Sequence, residues 1–131
     1  MLGTVNAPLR SADSLVDARV LLASCGDDEQ TLARIVRALG TTLPAQLASL
    51  RSALAAEDAM QVGEAAHKLA GMLACFSSVL GEMAGDLETR AFDGDLSDAA
   101  QQLSRDLCTL GPSLAAHMPT LTIGSLRDRA R

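Results

Sequence analysis

Aromatic residues are almost missing from this chain, which has two Phe and neither Trp nor Tyr among 131 residues. Strands draw on aromatic and β-branched side chains, whereas the Ala and Leu that are plentiful here are strong helix formers. The shortage therefore weighs against a sheet and for close-packed helices. Positive charge is also short. A net charge of −5 and a pI near 4.8 argue against a nucleic-acid partner, because a phosphate backbone needs a basic face; only Arg127 to Arg131 is locally basic. No apolar run approaches the roughly 20 residues of a membrane span, and the first residues lack the apolar core of a signal peptide. The expectation is a soluble cytoplasmic chain without membrane contact. Cys25, Cys75 and Cys108 are odd in number and free of C-x-x-C spacing, so they point to neither a disulfide framework nor a zinc site. They read as reduced, semi-buried apolar fillers. There is no Gly-rich phosphate loop of the Walker type and no cluster of acids at a strand end, and so no means of binding ATP or holding Mg²⁺.

What remains is enough for one hydrophobic core. Residues 1–13 read as a flexible lead-in or linker. A short apolar helix is expected from Ser14 to about Ser24, ended by Gly26. Asp27 and Asp28 start a long second helix, where Leu32, Ile35, Val36, Leu39, Leu43, Leu47, Leu50 and Leu54 recur at steps of three and four. The stripe continues past Gly40 and Pro44, which predicts a kink within one helix. A tight connection at Ala55 to Asp58 leads into a helix from about Ala59 to Cys75. The turn after it is capped by Ser77 or Ser78. Val79, Leu80, Met83, Ala84 and Leu87 mark a fourth helix, stopped before Asp93-Gly94-Asp95. Ser97 caps a last one carrying Ala100, Leu103, Leu107, Leu110 and Leu114, with a kink at Gly111-Pro112. His117 reads as a solvated residue near its end, and residues 118–131 as a poorly ordered tail. Short connections between these helices predict an all-α, antiparallel up-and-down four-helix bundle over residues 14–117, with an additional short N-terminal helix.

The third long helix carries the chemistry. Its buried stripe is Val62, Ala66, Leu69, Leu73 and Phe76, and His67 points roughly 140° away from the middle of that stripe. The neighbours of His67 on the helix surface are Gly63, Glu64, Ala70 and Gly71, with Met60 and Ala74 further along the same line. Each interior glycine costs about 1 kcal/mol relative to Ala. Two of them beside an outward imidazole make room for something to come close. Met60 and Ala74 are candidates for the apolar rim of a docking patch, and Glu64 and Lys68 for an i, i+4 surface pair. An imidazole, with an ordinary pKa of about 6.5, is largely neutral at pH 7 and is a competent nucleophile. Phosphoryl transfer asks mainly for positioning and for neutralisation of oxygen charge, commonly by a metal, which here must come from a partner.

His67-Lys68-Leu69-Ala70-Gly71, followed by Leu80, Met83 and Leu87-Glu88, resembles the signature of histidine phosphotransfer (Hpt) domains of bacterial phosphorelays. Gly26-Asp27, Pro44 and Ala53-Leu54 through Asp58 also stand where that family places similar residues, so the likeness runs from Leu15 to Ala116. It implies a helical bundle in which His67 receives a phosphoryl group from one receiver-domain aspartate and passes it to another through the distal ring nitrogen. The partners it implies are receiver domains of a hybrid sensor kinase and a response regulator, with Mg²⁺ held in the partner and no cofactor in this chain. A monomeric phosphocarrier, not an enzyme, is the expectation. The linker-like start favours a C-terminal piece of a larger, membrane-bound kinase, at its cytoplasmic end. Gly71 matches the family glycine that lets the receiver approach. Two departures are visible: the family commonly has lysine where Ala70 stands, and the turn after the histidine helix is one residue shorter, with Ser77 where glycine is often found. Ala70 keeps open an alternative, a structural interaction bundle that docks partners without phosphotransfer.

Overall fold

The computed structural model describes residues 12–131, and most of the linker expected at residues 1–13 lies outside them. Most of the helices start where a short polar side chain replaces the missing intrahelical acceptor. After a single turn, α1 (Ala12–Leu15), Asp17 caps α2 (Ala18–Cys25) by accepting from Val20 N. Gly26, left-handed at φ 61°, ends α2 as expected. Asp28 accepts from both the backbone N and the hydroxyl of Thr31 to open α3 (Glu29–Ala55). Asp58 caps α4 (Ala59–Leu73) and Ser77 caps α5 (Ser78–Phe92) in the same way. Ser97 stands at the start of α6 (Asp98–His117) without a side-chain cap bond; its backbone N donates to Asp95 Oδ1 instead.

α3 to α6 form the four-helix bundle, each packing on its sequence neighbours and α6 closing back on α3. All five residues of the expected α4 stripe are buried, together with Leu39, Leu43, Leu47, Leu50, Leu80, Leu87, Leu107 and Leu114. α3 and α6 run unbroken through Pro44 and Pro112. Both prolines lie on exposed faces, where water can take the hydrogen bond that a proline denies the carbonyl four residues earlier.

Four readings of the sequence are corrected. The expected first helix is broken at Asp17, whose backbone N donates to Phe76 O and whose carboxylate accepts from Ser78 Oγ, tying this break to the α4–α5 turn. Cys75 is exposed, whereas Cys25 is buried and Cys108 intermediate. The tail is ordered: a 3₁₀ turn (Met118–Thr120) leads to α7 (Ile123–Ala130), which opens with a Thr122–Ser125 capping box and buries Ile123 and Leu126. This helix packs on α2. Arg127 pairs with Asp27 and Arg129 with Asp13, which also accepts from His117 Nε2 at 3.1 Å. His117 is thus half-buried and engaged. The apolar residues of α7 are too few for periodicity to stand out, and their partner surface on α2 is distant in sequence.

Leu126→Ala should lower the unfolding free energy by about 2–5 kcal/mol, the usual range for a buried leucine, measured by urea titration of the helical circular dichroism. A change under about 0.5 kcal/mol would mean that the tail does not pack. A second expectation concerns Asp28, whose carboxyl is held below the ordinary aspartate value of about 3.9 by hydrogen bonds from Thr31, side chain first and then backbone. A depressed native pKa stabilises fully above the unfolded value and is lost as pH falls through the native one. The urea-midpoint gap between the wild type and Asp28→Ala should therefore be constant near neutral pH and close below about pH 4.

Candidate functional site

α4 and α5 are antiparallel and joined by a short turn, which fixes what faces what. Gly81 on α5 lies so close to Ala74 on α4 that an added Cβ would sit 3.0 Å from Ala74 Cα. Seven residues back along α4 and seven forward along α5, His67 Nδ1 meets Glu88 Oε2 at 2.9 Å. Four further on each helix, Gly63 meets the ring of Phe92. The three pairs share one register, so the close approach at Gly81 sets the other two.

The His67 side chain is 72 % exposed and Glu88 is 26 % exposed. A carboxylate accepts hydrogen bonds, so Nδ1 carries the proton that faces Glu88, and in the neutral ring Nε2 keeps its lone pair. That nitrogen is the one farther from the backbone and free to meet a partner. Glu88 thus fixes both the rotamer and the tautomer of His67. The sequence contained it, in the Leu87-Glu88 pair, without revealing its role. The missing signal was the α4–α5 register, which follows once Ala74 and Gly81 are paired across the turn.

The other expected site residues divide. Glu64, Lys68, Gly71 and Ala74 are exposed, as is Met60 at 59 %. Ala70 is half-buried against the core. Nothing lies within 4 Å of a Cβ built on Gly71, so its face is open. Gly63 is different and corrects the reading of it as clearance for a partner: it is buried, and a Cβ there would fall 2.5 Å from Cε1 of Phe92. The room it makes is filled from within the molecule. Lys68 borders a groove between α3 and α4 with Gln46, Ser49, Gln61 and Glu64, on the flank of His67 opposite Glu88. It forms no ion pair with Glu64. Among the described residues no group of three or more His, Cys, Asp or Glu is arranged to hold a metal ion, and no helix is long and apolar enough to cross a membrane.

A family model described as Hpt domain matches residues 34–121, two thirds of the chain, from the first turns of α3 to just past the 3₁₀ turn. No curated protein and no solved structure matches it.

The glycines give opposite expectations. Gly71→Ala meets open space and should raise stability by up to about 1 kcal/mol through helix propensity, whereas Gly81→Ala must push against the backbone of Ala74 and should lower it. Thermal unfolding of the two variants checks this, and a Gly81→Ala protein as stable as wild type would show that the close approach does not set the register.

Proposed function

The chain belongs to the Hpt domain family, and from that premise we propose that His67 is its phosphoacceptor. Family membership assigns the protein to phosphorelay signalling as a phosphocarrier that works with receiver domains. The observation that carries the residue assignment is the His67–Glu88 contact on an open helix face.

The lone pair of Nε2 attacks the phosphorus of an aspartyl phosphate; the N–P bond forms as the P–O bond to the aspartate breaks, and the aspartate leaves as a carboxylate. The ring becomes cationic as it gives up its lone pair, and its Nδ1–H faces the Glu88 carboxylate, which stabilises that charge. Run backwards, the same cationic ring is a good leaving group when a second receiver aspartate attacks. The proposed direction is from the receiver of a hybrid sensor kinase to a response regulator. Mg²⁺ held by the receiver neutralises the equatorial oxygens, and this chain acts as a cytoplasmic monomer with no cofactor of its own. Lys68, on the far flank from Glu88, can add to that neutralisation only by reaching across the helix face. The departure at Ala70 is what favours the alternative, docking without transfer.

Incubation with a phosphorylated receiver and Mg²⁺ should give an acid-labile, base-stable label that His67→Gln lacks. Equal labelling of that variant would remove His67 from the role. Glu88→Ala should slow labelling about tenfold or more by freeing the ring, while Glu88→Gln, whose amide oxygen still accepts from Nδ1–H but carries no charge to oppose the cationic ring, should fall between Glu88→Ala and wild type. If Glu88→Ala is as fast as wild type, the contact plays no part in transfer.

A further inference from the structure

Only three large hydrophobic side chains among the described residues are exposed, Val20, Met60 and Phe92. Two of them lie at one end of the His67 row. Phe92 is 46 % exposed and rests on Gly63, one helical turn from His67 along α4. Met60, at 59 %, stands three residues before Gly63 on the same face. No described leucine is exposed, yet the Phe92 ring stands half in water, and the glycine beneath it costs about 1 kcal/mol against Ala in a helix. The last turn of α5 is also held firmly. Arg90 bridges Asp86 within the helix and Asp95 beyond it, each at 3.2 Å, so the backbone that carries Phe92 is fixed before any partner arrives.

We propose that Phe92, seated on Gly63, is the anchor by which this protein holds the receiver domain that exchanges phosphate with His67, and that it governs which receivers bind. The proposal rests on the phosphocarrier reading. A specific interface covers about 800 Å² on each partner, whereas four residues of helix span about 6 Å. A receiver centred on Nε2 therefore covers Phe92 and Met60 as well. A ring already immobilised loses little entropy on binding, and aromatic anchors near the centre of an interface carry a disproportionate share of affinity. Glu64 and Asp93, next in sequence to Gly63 and Phe92, are exposed and form no ion pair. The fitting partner is thus a receiver with an apolar hollow beside its phospho-aspartate and basic residues around that hollow.

Single-turnover transfer from increasing concentrations of a phosphorylated receiver with Mg²⁺ tests this on the full chain, with KM the half-saturating receiver concentration and kcat the limiting transfer rate. Phe92→Ala should raise KM for the receiver at least tenfold while kcat stays within about threefold, as expected for loss of an interface anchor. Gly63→Ala should do the same by another route, because its Cβ displaces the ring. Val20→Ala, the third exposed hydrophobic, should change neither constant, and circular dichroism should show all three variants folded. A KM for Phe92→Ala within twofold of wild type, on a wild type that is labelled, would overturn the anchor and leave the phosphocarrier reading standing; it would mean that the receiver docks toward Gly71 and Cys75. Failure of the wild type to be labelled by any receiver would remove both.

Discussion

The contact between Gly81 and the backbone of Ala74 is the constraint from which the working face follows. Two helices joined by a short turn can slide past one another by a turn with little change in how their leucines pack. They cannot do so once one backbone has to fit against the other where a glycine leaves room. Ser77 starts α5 by capping Leu80 N, and Asp17 holds the turn from outside through Phe76 O and Ser78 Oγ. With the register fixed, Glu88 falls opposite His67 and Phe92 opposite Gly63, and an otherwise bare helix acquires an oriented imidazole and a seated aromatic ring.

Small residues along this row have unlike tasks. Gly81 lets two backbones approach, Gly63 receives a side chain of the same molecule, and Gly71 faces open space. Gly63 lies inside α4, Gly71 in its last turn and Gly81 in the first turn of α5. Their surroundings tell them apart, and of the three only Gly71 leaves open space that the proposed partner could enter. The face as a whole joins a polar centre to an apolar end, which suits an interface that must be both specific and short-lived.

Much of the fold was legible because period and caps are local. The leucine steps of α3 and α6, the stripe of α4, and the capping side chains Asp28 and Ser77 all stand where their sequence places them. His67 was legible for the same reason, since its outward direction follows from the stripe behind it. What was hidden depends on contacts between distant segments. Glu88 and Phe92 needed the α4–α5 register, and Gly63 was misread because its occupant comes from the next helix. The tail was read as unordered because Ile123 and Leu126 form no stripe of their own; α7 is held by α2 and by Arg127 and Arg129 on Asp27 and Asp13, partners about a hundred residues away. Ser97 shows the opposite error, a residue in the capping position whose side chain does not cap.

In the proposed transfer, Glu88 holds the proton of His67 on Nδ1 and leaves Nε2 as the nucleophile. Long-range ¹H–¹⁵N correlation spectroscopy of the ring reads this directly. At alkaline pH, wild type should show Nδ1 protonated and Nε2 bare, and Glu88→Ala should move toward mixed tautomers. A wild-type ring protonated on Nε2, or one unchanged by Glu88→Ala, would contradict it.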